Sequence, residues 1–157
     1  MQSKRGCRGV WIAALAVAAD QISKALVVRS GRETALLPGM VAIHPTANTG
    51  MAFSMLSGNG LLLTILTVAL VAVLAGWLIL SKRSQPSGLR TGLWLIIGGG
   101  LGNLIDRIAF GHVIDFIELE FIHFAVFNVA DMAICIGAAI TAISVILDER
   151  RKEHPHE

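Results

Sequence analysis

The chain has 157 residues, 54% hydrophobic and 15% charged, with a formal net charge of +2. A soluble domain carries about 25% charged residues, so a small soluble core cannot hide this apolar excess and part of the solvent must be lipid. The charge is too small and too scattered for a nucleic-acid face. Cys7 and Cys135 lack paired spacing and indicate neither a disulfide nor a zinc site.

A bilayer-spanning helix needs roughly 20 mostly apolar residues. Four stretches qualify, at about 10–28, 60–80, 91–108 and 127–147. They predict an all-α integral membrane protein, a single membrane domain over 1–157. The first stretch carries Asp20 and Lys24. Its start, with Lys4, Arg5 and Arg8 ahead of an apolar run and Ala-Val-Ala-Ala, also fits a cleavable secretory signal. Cleavage there would place the mature N-terminus near Asp20.

The loop at 29–59 is long for a connector. Its turn formers Gly39, Pro45, Asn48 and Gly50 separate apolar runs at 40–43 and 51–55, which predicts short strands at the membrane surface. The second span, 60–80, is uninterrupted, and a polar turn at 82–88 leads to the third. That span holds the run Gly98, Gly99, Gly100. In it Gly99, Asn103, Asp106 and Arg107 follow three- and four-residue spacing, giving one polar stripe. The loop at 109–126 mixes Phe and Ile with Glu118 and Glu120 and is expected to be an amphipathic interfacial segment. The fourth span opens with Asn128 and Asp131.

Lys and Arg are retained on the cytoplasmic side. With the N-terminus inside, Lys4, Arg5, Arg8, Lys82, Arg83, Arg90, Arg150, Arg151 and Lys152 are cytoplasmic, against Arg29, Arg32 and Arg107 outside. Both termini are expected inside, and both long loops outside.

A charged side chain deep in a bilayer costs at least about 2.5 kcal/mol, so it is kept only where it pairs, meets water or works. Asp20 and Lys24, four apart on one helical face, suit a structural ion pair. Asn103 or Asn128 alone reads best as interhelical glue. Asp115 and Asp131 differ, because two acids at one depth repel unless one keeps a proton. Such a pair can activate a water with its ionised member and polarise a peptide carbonyl with its protonated member. That chemistry needs no cofactor. No GxSxG motif occurs, and neither cysteine has a histidine partner at its depth. His112, Asp115 and Glu118 have helical spacing and would suggest a metal site only with a second histidine nearby. The tail His154-Pro155-His156 reads as a solvated end. A rival from another class is a small proton or ion transporter that uses Asp20, Lys24 and Asp131 as a relay.

The pieces Asp20-Gln21-Ile22-Ser23-Lys24, Asn48-Thr49-Gly50-Met51-Ala52-Phe53-Ser54, the run from Gly98 to Arg107, the run from Gly111 to Ile117, and Phe127-Asn128-Val129-Ala130-Asp131 recur in this order on a four-helix frame. From Trp11 to about Gly137 the chain closely resembles the lipoprotein signal peptidase family, also called signal peptidase II. The resemblance implies an aspartyl endopeptidase of the bacterial cytoplasmic membrane. Such an enzyme removes the signal peptide of prolipoproteins just before a diacylglyceryl-modified cysteine and is sensitive to globomycin. It further implies that Asp115 and Asp131 are the catalytic dyad. Asn48, Gly99, Asn103, Arg107 and Asn128 would line the pocket, contacting the substrate or ordering the dyad, and Asp20 and Lys24 would be structural support rather than chemistry. Met51 departs from the small residue more usual there and would reshape the loop over the lipid-binding groove. The expected partners are lipid-modified prolipoproteins and membrane lipids, with no nucleic acid, and the chain is expected to be monomeric. A non-catalytic binder of lipidated peptides is the third alternative.

Overall fold

Long apolar runs become helices and the turn-rich segments become strands. The computed structural model describes residues 3–50, 59–81, 85–122 and 124–153. Among these, the order is α1 (Ser3–Ser30), β1 (Thr34–Leu37), β2 (Val41–Asn48), α2 (Gly60–Leu80), α3 (Ser87–Phe110), β3 (Val113–Leu119) and α4 (Val129–Glu153). All four helices are long and apolar enough to cross a membrane.

Burial is inverted relative to a water-soluble protein. Leu61, Ile79 and Leu80 are 76%, 73% and 78% exposed, whereas Asp20 and Lys24 are 0% and 2% exposed. Apolar side chains facing outward need a solvent as apolar as themselves, and polar groups within that depth must satisfy one another. The chain is a multi-pass membrane protein.

Helix α3 packs against all three other helices. Its apolar part joins Leu93, Trp94 and Ile97 to Ala13 of α1 and Leu78 of α2 in one buried cluster. Cleavage near Asp20 would remove Ala13 from that cluster. Close approach of α3 to α4 depends on small residues. A methyl group on Gly99 would collide with the Ala130 carbonyl oxygen and with Ile134. We expect Gly99→Val to destabilise the bundle by about 1–3 kcal/mol through overpacking. Thermal unfolding in detergent checks this, and an unchanged midpoint would contradict the packing assignment.

The strands form an antiparallel sheet of order β1-β2-β3. The β2–β3 register shifts between Ile43 and Thr46. Pro45 falls within this irregularity, which suits a residue that cannot donate to the ladder. Only the first of the two expected apolar strand segments, 40–43, can be placed; 51–55 lies outside the described residues.

The expected interfacial segment at 109–126 contains a strand. Gly111 ends α3 in the left-handed conformation, φ 76°, with its N–H on the Arg107 carbonyl. The chain then enters β3, where Val113, Ile114, Phe116 and Ile117 favour a pleated, half-buried surface. The fourth helix begins two residues later than expected, because Phe127 exchanges backbone hydrogen bonds with Ile117 of β3. The third begins earlier, at Ser87.

Candidate active site

The sheet and the start of α4 bring two aspartates to one place. Asp115 lies in mid-β3, opposite Thr46, and is 2% exposed. Asp131 lies in the first turn of α4. Asn128, just ahead of that helix, accepts the Asp131 backbone N–H on Oδ1 at 2.9 Å. In return Asp131 Oδ2 accepts the Asn128 backbone N–H at 3.2 Å. This reciprocal pattern is a capping box, with an aspartate in the place usually taken by Glu or Gln. It fixes the direction of the Asp131 carboxyl.

Asn128 also reaches the other acid. Its Nδ2 donates to Asp115 Oδ1 at 2.7 Å, and Asn48 Nδ2 at the end of β2 donates to Asp115 Oδ2 at 2.8 Å. The second Asp131 oxygen accepts Asn103 Nδ2 of α3 at 2.8 Å, and Asn103 Oδ1 accepts Asn128 Nδ2 at 3.0 Å. Three asparagines from three elements thus hold two carboxyls. Asn128 is fully buried, so it must find partners inside the protein.

Beneath them sits an ionic cluster. Lys24 Nζ lies 2.8 Å from Asp20 Oδ2 and 2.7 Å from Asp106 Oδ2. Gln21 Nε2 donates to Asp106 Oδ1 at 2.9 Å. Arg107 reaches the Gly50 carbonyl at 3.5 Å, while Gly50 donates its N–H to Asn48 Oδ1 at 2.8 Å. The guanidinium therefore touches the turn that follows Asn48.

A cavity of about 340 Å³ opens beside the two aspartates. Asn48, Asn103, Arg107, Asp115 and Asp131 line its polar side, and Phe124, Val126, Phe127, Met132 and Ile134 its apolar side. A peptide carbonyl can meet the carboxyls there while an apolar segment lies along the other wall. Burial pushes the Asp115 carboxyl from 3.8 up to about 6, and the neighbouring Asp131 charge adds to the rise. Hydrogen bonds from Asn48 and Asn128 and the Lys24 charge oppose it.

Of the residues singled out in the sequence, Asn48, Asn103, Arg107, Asp115, Asn128 and Asp131 come together here. Gly99 does not line this cavity; it sits at the α3–α4 crossing, one turn of α3 before Asn103. Met51 lies outside the described residues, as does the His154-Pro155-His156 tail. The helical spacing of His112, Asp115 and Glu118 does not operate: His112 precedes β3, and Asp115 and Glu118, three apart on that strand, point to opposite faces. No group of three possible metal ligands occurs among the described residues. Asp106 belongs to the ionic cluster; the sequence marks it by its place on the α3 stripe and in the run from Gly98 to Arg107, without a role. Gln21 likewise stands in the Asp20–Lys24 motif with no role given to it.

A sequence model of signal peptidase (SPase) II matches residues 12–147. The chain is 34% identical over 142 residues to the lipoprotein signal peptidase of Enterococcus faecalis, covering 88% of each. It is 40% identical over 160 residues to that of Shewanella sediminis, covering 94% of this chain and 88% of the relative. A bacterial membrane enzyme solved by the in meso method at 2.3 Å superposes with a TM-score of 0.84 at 28% identity, covering 92% of this chain and 91% of the other. With the match spanning nearly the whole four-helix frame and the polar site at its centre, the chain belongs to the signal peptidase II family of peptidases.

Proposed function

We propose that this protein is an aspartyl endopeptidase that cleaves the signal peptide from diacylglyceryl-modified prolipoproteins immediately before the lipidated cysteine. Asp115 and Asp131 are the dyad. The observation that carries this reading is Asn128, which bonds to both carboxyls beside a cavity with one polar and one apolar wall. The family's lipoprotein substrates supply the substrate class.

In the reaction the dyad holds one proton, placed in this reading on Asp115, with Asp131 ionised at the start. A water between them gives a proton to Asp131 as its oxygen attacks the scissile carbonyl carbon. Asp115 donates to the carbonyl oxygen as that oxygen gains charge. Collapse of the tetrahedral intermediate breaks the C–N bond: the proton on Asp131 passes to the leaving nitrogen, and a hydroxyl proton of the intermediate returns to Asp115. No covalent enzyme intermediate forms. Asn48, Asn103 and Asn128 hold the carboxyls, and Arg107 holds the Gly50 turn beside them. The excess of Lys and Arg at the opposite end supports a site toward the outer face with both termini cytoplasmic. The signal helix enters sideways from lipid, and the enzyme acts as a monomer.

The relay reading fits less well. Lys24 directs its hydrogens to Asp20, Asp106 and Asn103, leaving none for a passing ion. Incubating the purified protein with a diacylated prolipoprotein and following signal-peptide release tests the proposal. Binding without release would instead indicate a non-catalytic receptor, and ion flux that tracks Asp20 more than Asp115 would indicate a transporter.

The pH dependence has a definite sign. A dyad that must keep one proton loses activity as pH rises through the Asp115 value of about 6. In kcat/KM, which reports the free enzyme, the alkaline limb therefore falls near that value. Asn48 stabilises the Asp115 carboxylate, so Asn48→Ala raises the pKa and moves this limb to higher pH. A limb that stays put or moves down would contradict the assignment of the proton to Asp115.

A further inference from the structure

The ionic cluster beneath the dyad is wired to it at three points. Asp20 holds Lys24 with Oδ2 and, with Oδ1, accepts the backbone N–H of Ala130 at 2.9 Å. Ala130 immediately precedes Asp131. Asp106 holds Lys24 with Oδ2, and the same oxygen accepts the backbone N–H of Ile114 at 3.1 Å. Ile114 immediately precedes Asp115. The third connection runs from Lys24 Nζ to Asn103 Oδ1 at 3.1 Å, and from Asn103 Nδ2 to Asp131 Oδ1.

An ammonium has three hydrogens and no acceptor. Here each hydrogen has one partner, and each partner reaches a reacting aspartate or the residue before it. An ion pair serving only to join helices would need one partner and no particular destination. We propose that Lys24 is a positioning residue for both aspartates: its ammonium draws Asp20, Asp106 and Asn103 into a three-armed clamp that sets the backbone before Asp115, the backbone before Asp131, and the Asp131 side chain. This inference rests on the peptidase reading.

The physical case is one of geometry and charge. Lys24, Asp20 and Asp106 are 2%, 0% and 1% exposed, so neither carboxylate can turn to water if the cation is removed. They would repel each other with only the Gln21 amide between them, and each would release its backbone N–H. A reacting group displaced by about 1 Å loses roughly 100-fold in rate. Arg cannot replace Lys, because a planar fork does not place donors on three separate acceptors. The charged groups around Lys24 are Asp20 of α1, Asp106 of α3, Asp131 of α4 and Asp115 of β3. Loss of the cation therefore also raises the Asp115 pKa.

The test measures kcat, KM and the pH profile of prolipoprotein cleavage for the unmodified protein, Lys24→Met, Asp106→Asn and Asp106→Ala, with the folded fraction measured alongside. Lys24→Met is expected to lower kcat of the folded protein about 100-fold, to leave KM within about threefold, and to move the alkaline limb up. Asp106→Asn keeps an acceptor for the Ile114 N–H and should retain at least about tenfold more kcat than Asp106→Ala. This pair decides the matter if Lys24→Met does not fold. A folded Lys24→Met with unchanged kcat and pH profile, or equal kcat in the two Asp106 variants, overturns the clamp alone. Absence of cleavage by the unmodified protein overturns the peptidase reading and the clamp with it.

Discussion

Asp115→Asn and Asp131→Asn should each lower signal-peptide release by about 10³-fold or more while leaving the protein inserted and folded. Acid–base catalysis by a positioned carboxyl contributes about 10²–10⁴-fold, and each half of the pair has a task the other cannot take over. Asn matches Asp in shape and keeps one acceptor oxygen. At position 115 the lost oxygen accepts from either Asn48 or Asn128, so one hydrogen bond, worth about 1 kcal/mol, is lost. That is too little to unfold a bundle whose apolar cluster lies on α1, α2 and α3. Cleavage rates with a diacylated prolipoprotein, compared at equal amounts of folded protein, provide the check. Full activity in either variant would remove that residue from the dyad.

Replacing Asn128 is also expected to have a large effect. Asn128→Ala removes the cap on α4 and the donor to Asp115 together. The lost cap costs about 1 kcal/mol, and the buried groups left unpaired cost about 1–3 kcal/mol. Activity should fall about 100-fold, because Asp115 loses one of its two side-chain donors. Asn128→Asp separates the two roles. Aspartate caps a helix as well as asparagine does, but it cannot donate to Asp115 and adds a third acid. It should therefore regain part of the thermal stability and none of the activity. If Asn128→Ala cleaves within threefold of the unmodified protein, Asn128 is a helix cap and nothing more.

The two carboxyls depend on amides rather than on cations for their immediate contacts. Amides offer directed donors without carrying a charge that would neutralise the pair. Lys24 is held behind Asn103, Asp20 and Asp106, while Arg107 lines the cavity beside the carboxyls. Lys24 pairs there with Asp20 and Asp106.

Much of the architecture was legible before any contact was known. The four spans follow from apolar runs of bilayer length, because the requirement that lipid places on a helix is local and additive along the chain. The polar stripe of α3 follows from spacing alone, and the motif order points to the family. Less of the sheet was readable. Residues 113–119 form a strand because β2 offers them an edge, and no periodicity within the segment announces that partner.

What the sequence by itself determined is the solvent, the number of spans and the small set of polar residues that lipid would expel unless they were paired or used. What only the tertiary structure decided is which of these meet. Lys24 and Asn103 are 79 residues apart, and Asp20 and Ala130 are 110 apart. Helical spacing places a residue on a face, but the rotation and depth of that helix against its neighbours depend on packing across the bundle. Gly99 shows this directly, since only the folded bundle sets the Ala130 backbone against it, where a methyl group would collide. The same physics explains Asp20 and Lys24. In the sequence they read as a structural ion pair, and only the folded bundle adds Asp106, Asn103 and the two backbone N–H groups that link them to the residues before the aspartates.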